Sequence, residues 1–157
     1  MKINNIKDSI EYLKKINNYE TDKEPYLLKY ELDEGTMSLE WYQAILEEVK
    51  KYNPKRVIDI GSNLNLFGYL FANEEIEYIC IDLDTSGCKP IELDKIKFIK
   101  ADYYDVKEQF KNDIIISCLC VGYLIPVKDV LGKVLIVNDS TGSNKDFKCI
   151  AKEIILK

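Results

Sequence analysis

Three acidic side chains, Asp59, Asp82 and Asp102, stand where a nucleoside ligand would need them. Each lies at the end of a short apolar run: Val57 to Ser62, Ile79 to Asp82, and Phe98 to Tyr103. An ionised carboxylate accepts several hydrogen bonds at once, which suits a ribose diol or the amino group of adenine. Gly61, just past the first run, lets the main chain turn sharply and come close to a ligand with no Cβ in the way. Asp82 lies 21 residues beyond Gly61. That is close to the roughly 20 that separate the glycine turn from the ribose-binding acid in nucleotide-binding α/β units. Tyr103 and Tyr104 follow Asp102 and supply rings that can stack on a base; the pair is expected to split, one ring in the core and one towards the cleft. Asp59 has a second reading, a hydrogen bond within its own turn. Asp84 reads as an ordinary loop acid.

Other chemistry is excluded by residue type. The chain has no histidine, which removes serine and cysteine triads, histidine bases and most zinc sites. No metal site is expected. The five cysteines include no CxxC pair, and their odd number predicts reduced thiols in the cytoplasm. Cys118 and Cys120 alternate off an apolar run, and plain burial is preferred to a nucleophilic role because no activating cation is evident. The net charge is −5 and Arg56 is the only arginine. Both argue against nucleic acid as a partner. No apolar run approaches the roughly 18 residues of a membrane span, and the N-terminus turns polar too early for a signal peptide.

The elements that must position these residues follow from periodicity. With 157 residues, 46% of them hydrophobic, one domain is expected, with residues 1–53 helical and 54–157 forming an α/β core. Ile3, Ile6, Ile10, Leu13 and Ile16 predict an amphipathic helix over residues 3–17, closed by Asn17 and Asn18. Residues 19–37 read as irregular. Ser38 reads as the N-cap of a second helix, with a stripe of Leu39, Tyr42, Ile45, Leu46 and Val49, ended by Asn53 and Pro54; Trp41 is placed in the core. Five strands are expected at Arg56–Ile60, Tyr78–Ile81, Lys97–Lys100, Asp113–Cys118 and Lys133–Val137, apolar enough to be buried on both faces of a parallel sheet. Helices are expected at Leu64–Ala72, Asp105–Phe110 and Tyr123–Leu131, with Gly68 permitting close helix–sheet packing. Phe147–Leu156 reads as a last strand in preference to a helix. Asn138 to Gly142 reads as a turn in preference to part of a pocket.

The ordered set of motifs resembles the class I, Rossmann-like S-adenosylmethionine-dependent methyltransferases. The likeness runs from Ser38 to Val137. Val57 to Ser62 resembles the family's first motif, Ile79 to Asp82 its ribose-binding segment, Phe98 to Tyr103 its adenine-binding segment, and Asp113 to Ser117 the strand facing the methyl acceptor. The resemblance implies a doubly wound, mainly parallel sheet, truncated after the fifth strand, with helices added at the N-terminus. It implies that Asp59, Gly61, Ser62, Asn63, Asp82, Asp102 and Tyr103 bind S-adenosylmethionine: Gly61, Ser62 and Asn63 at the amino-acid end, Asp82 at the ribose, Asp102 with Tyr103 at the adenine. It names no catalytic residue and no acceptor, which is a small molecule or a protein. A homodimer or another protein partner stays open. The chain departs from the family at Asn63 and Asn65, which stand where glycines are expected. Asparagine tolerates positive φ, so the turn can survive, but a side chain then enters space the cofactor uses. The alternative is therefore a methyltransferase-like domain without catalysis, serving as a partner-binding or regulatory module. A nicotinamide-dinucleotide domain is a weaker third reading, since only Gly61 of its glycine pattern is present.

Overall fold

The computed structural model describes residues 2–19, 28–29, 32, 38–118, 120–122, 124–139 and 150–156. Strands β1 (Arg56–Ile60), β2 (Glu77–Asp82), β3 (Ile96–Lys100), β4 (Ile114–Ser117), β5 (Val134–Asp139) and β6 (Ile150–Ile155) form one six-stranded sheet in the order β3-β2-β1-β4-β5-β6. The first five run parallel and β6 is antiparallel to β5. The fold is α/β and compatible with a Rossmann-like arrangement. The five parallel strands and the strand character of the tail agree with expectation, the ends of the five shifted by at most two residues. Residues 147–149 of the expected tail strand lie outside the described residues, as do most of 19–37 and the 140–142 part of the expected turn. Asn138 and Asp139 extend β5 instead of turning.

Side chains alternate across the sheet. Val57, Tyr78, Cys80, Ile96, Ile114, Ile116, Val134 and Ile136 face one core, and Ile58, Ile60, Ile79, Ile81, Ile115 and Leu135 face the other. Among the described elements, helices α1 (Ile6–Ile16), α2 (Leu39–Lys50) and α3 (Gly68–Ala72) contribute to the first core. The second core is closed by a short helix α4 (Tyr103–Val106) and by 3₁₀ turns at Lys107–Phe110 and Val127–Asp129. The helix expected over Asp105–Phe110 is thus split, and of Tyr123–Leu131 only the 3₁₀ turn forms among the described residues.

Local chemistry sets the helix ends. Asn5 caps α1 by accepting from Asp8 N at 2.9 Å. Asn17 closes it, its amide donating to Leu13 O at 2.9 Å. Ser38 precedes α2 without making the expected side-chain cap, because it already has helical φ and ψ; an N-cap needs extended backbone to turn its oxygen onto the free N–H groups. The α2 stripe of Tyr42, Ile45, Leu46 and Val49 is buried as expected, whereas Trp41 is only half-buried. The largest departure is at α3. Asn63 and Asn65 both adopt left-handed backbone, at φ 55° and 65°, so the chain cannot enter a right-handed helix before residue 66. Helix α3 begins at Gly68 in place of the expected Leu64. A Cβ on Gly68 would stand 2.9 Å from Ile96 Cγ2 and 3.0 Å from Tyr78 Cδ1, which accounts for a glycine where α3 meets the sheet.

Candidate functional site

A cleft of about 430 Å³ opens beyond the carboxyl ends of β1, β2, β3 and β4. Strand order reverses between β1 and β4, the switch point where open α/β sheets leave a crevice for ligands. Gly61, Ser62, Asn63, Asp82, Asp102 and Tyr103, all anticipated from sequence, line it. Asp59 is absent from its lining. Residues not anticipated as site residues also contribute, notably Tyr42 and Phe67 on one wall and Leu83, Leu124 and Ile125 at the mouth.

Asp82 faces the turn. Its Oδ2 accepts from Asn63 N at 3.0 Å. Burial raises its pKa, opposed by main-chain donors at Asn63, Asp84 and Leu83. The Asn63 bond fixes the left-handed turn relative to the end of β2. Asp102 lies exposed beyond the end of the neighbouring strand β3 and caps α4, with Oδ1 accepting from Tyr104 N at 2.9 Å. The tyrosine pair divides as expected. Tyr103 is buried and its hydroxyl accepts from Leu131 N at 2.9 Å. Tyr104 is 44% exposed at the cleft and donates to Asp129 Oδ2 at 2.8 Å. Asp84 holds its own loop by accepting from Ser86 N at 2.8 Å.

Asp59 lies deeper, behind the cleft. It shares a face with Val57 and sits in register with Cys80, so its side chain enters the helix-covered core. It is fully buried, and its Oδ2 accepts from the hydroxyls of Tyr42 (2.9 Å) and Tyr78. Its Oδ1 has no hydrogen-bond partner among the described residues. Burial pushes the carboxyl up to about 7, against the lowering effect of the two hydroxyls. Asp59 therefore ties α2 to β1 and β2 behind the cleft. Two tyrosines among otherwise aliphatic core positions carried a signal of this, because a buried hydroxyl must find a partner.

The asparagines also divide. Asn63 lines the cleft. Asn65 is fully buried and turns away from it: its amide donates to Ile91 O at 3.0 Å and Lys97 O at 3.3 Å, and its Oδ1 accepts from Ser62 Oγ at 2.9 Å. Only one of the two side chains takes up cleft space. Gly61, at φ 78°, is a glycine for two reasons. The left-handed backbone disfavours a side chain, and an added Cβ would stand 2.7 Å from Cys120 Sγ. The neighbour that requires glycine is thus the loop after β4. Ser117 Oγ holds that loop by accepting from Val121 N at 2.9 Å while donating to Ile60 O at 3.3 Å. Burial, with Asp59 and Asp82 nearby, pushes the Cys120 thiol up to about 11. It stays protonated near neutral pH and is a poor nucleophile.

Asp82 and Asp102 are the only charged side chains among the described lining residues. No protein-family model matches the chain, and no curated protein is significantly similar to it. Among the described residues no group of three or more histidine, cysteine or acidic side chains is placed to hold a metal ion, and no helix is long and apolar enough to cross a membrane. The cleft can take a flat, hydrogen-bonding ligand that is neutral or positively charged. A phosphorylated ligand would meet two carboxylates with no lysine or arginine in the described lining to offset them. The usual alternative for phosphate is a helix N-terminus, and here α3 starts at Gly68, after the turn rather than in it.

Proposed function

We propose that this cleft binds S-adenosylmethionine and that the protein is a methyltransferase of unspecified acceptor. The observation that carries the reading is the convergence of the Gly61–Asn63 turn, Asp82 and Asp102 on one switch-point cleft whose described charges are all acidic. The residues present fit the group. Asp82 would hold the ribose hydroxyls, Asp102 the adenine amino group, and Ser62 and Asn63 the amino-acid end. Opposite charges attract more strongly at a partly desolvated site than in water, so an acidic cleft favours a sulfonium with an ammonium over a pyrophosphate. When bound, the cofactor supplies an electrophilic methyl group. The chain's own part is to orient: methyl transfer depends chiefly on holding acceptor and methyl in line, which is consistent with a chain that contains no histidine. The sheet, read in this way, is a methyltransferase sheet shortened after its fifth strand, with β6 paired directly to β5.

A second reading has its own support. Cys120 packs against Gly61, and Asn63 adds a side chain at the amino-acid end of the cleft. Both narrow the space there and favour a domain that keeps the shape of the cleft without turnover. Titration calorimetry separates the two. The first reading expects S-adenosylmethionine or S-adenosylhomocysteine to bind at about micromolar Kd, with nicotinamide dinucleotide failing to bind. Folded protein that binds neither sulfur nucleoside leaves the non-catalytic module.

A further inference from the structure

A second cleft, of about 700 Å³, lies at the opposite end of the sheet. Its walls come from the amino ends of β1, β4 and β5 and the last residue of β6. Its charge is the reverse of the first: Lys55, Arg56 and Lys133 stand against the single carboxylate of Asp113. The chain's one arginine is fixed there. Arg56 Nε and Nη2 donate to the two oxygens of Asp113 at 2.7 and 2.8 Å, and its guanidinium carbon lies 5.9 Å from the centre of the Phe110 ring. That pairing uses one edge of the guanidinium and leaves the Nη1 donors outside it. Beside these cations are Tyr52, 40% exposed, and Ile155, 69% exposed. The exposed large hydrophobics of the described residues are Tyr52, Leu83, Tyr104, Leu124 and Ile155, and each of them lines one of the two clefts.

We propose that this cleft, together with the outer edge of β6, docks an extended acidic segment of a partner protein. Ligand crevices of α/β sheets lie at the carboxyl ends of the strands, so a built cleft at the amino ends is better suited to a partner than to a cofactor. Strand β6 is the last of the sheet, and its outer side pairs with no described strand. Such an edge can accept an extended segment by main-chain hydrogen bonds, with alternate side chains entering pockets. The charge complement fixes the chemistry: acidic side chains opposite Lys55, Arg56 and Lys133, and an apolar one between Tyr52 and Ile155. A preoriented arginine and an exposed tyrosine are the side chains that most often carry interface energy.

The test uses the full chain and a labelled, end-capped hexapeptide alternating glutamate and leucine, with the lysine–leucine isomer as control. Fluorescence anisotropy at low salt is expected to show saturable binding of the acidic peptide only. Binding is expected to weaken at least about tenfold, roughly 1.4 kcal/mol, in the Lys55→Glu, Lys133→Glu double variant and in Ile155→Asp. These positions are exposed, so unchanged thermal melting is expected and shows that the variants fold. Absence of saturable binding, equal binding of the lysine peptide, or unaltered affinity in both variants overturns the proposal. So does sedimentation showing a dimer that Ile155→Asp dissolves, which would make a second copy the occupant.

Discussion

Asp59 and Asp82 stand near the ends of neighbouring strands of the same sheet, yet the protein uses them in opposite ways. Asp59 is turned into the core, where it receives two tyrosine hydroxyls and bonds helix to sheet. Asp82 lies beyond the last paired residue of β1, accepts from the turn and remains at the cleft. Both were legible as acids at strand ends. What separates them is depth along the sheet: by the two-residue period Asp82 shares the face of Cys80, the register partner of Asp59, but it stands past the last β1–β2 pair, Ile60 with Ile81, and so reaches the turn instead of the core. The contrast teaches that an acid in a motif position can be structural while its neighbour stays available to a ligand.

The sharpest way to break this comparison is at the structural acid. Asp59→Ala leaves two buried hydroxyls without an acceptor and opens a small cavity, and each unmade buried hydrogen bond costs about 1–3 kcal/mol. A loss of about 3 kcal/mol in urea unfolding is expected; a loss under about 0.5 would show that the clamp holds nothing. The next effect is on pH dependence. Between the ordinary 3.8 and about 7 the folded protein keeps a proton on Asp59 that the unfolded chain has released. Stability from this group is therefore full below about pH 4 and falls as pH rises through about 7. Wild type is expected to lose about 2 kcal/mol more than Asp59→Asn between about pH 5 and pH 7, measured as paired denaturant midpoints. Parallel profiles would place the charged form in the core.

At the ligand-facing acid the pattern inverts. Asp82→Ala is expected to weaken S-adenosylhomocysteine binding about tenfold, or about 1.4 kcal/mol, with thermal stability reduced much less than by Asp59→Ala. Equal affinity would remove Asp82 from the site. Smallest is Tyr104→Phe, which deletes an exposed bond to Asp129 and is expected to change stability by less than about 0.5 kcal/mol while keeping the ring at the cleft. A thermal melt and one binding isotherm decide it.

How much was legible depended on whether the information was local. The strands were readable because Ile and Val runs bounded by polar residues are a short-range signal, and the spacing from Gly61 to Asp82 located one lip of the cleft. The start of α3 was not. The apolar residues after Gly61 look helical, and the obstacle is two left-handed asparagines whose conformation depends on distant partners: Asn63 on Asp82, Asn65 on Ile91 and Lys97. The walls formed by Tyr42, Phe67 and Leu124 were likewise invisible as site residues, because each reads locally as part of an apolar stripe or loop. They meet only when β1 and β4 pair.

Helix α1 is fastened to the far side of the cleft's turn. Ser9 donates to Leu66 O at 2.6 Å, Asn17 exchanges two bonds with the main chain of Lys89, and Asn73 reaches back to Ile3 O at 2.9 Å. These partners stand 57 to 72 residues away along the chain, so none of the bonds is local. They can form only once the segments that flank β1 and β2 have brought Leu66 and Lys89 up to α1, and they then hold the turn after β1 from behind. The cleft's final shape thus depends on contacts of high sequence separation, which form late in folding.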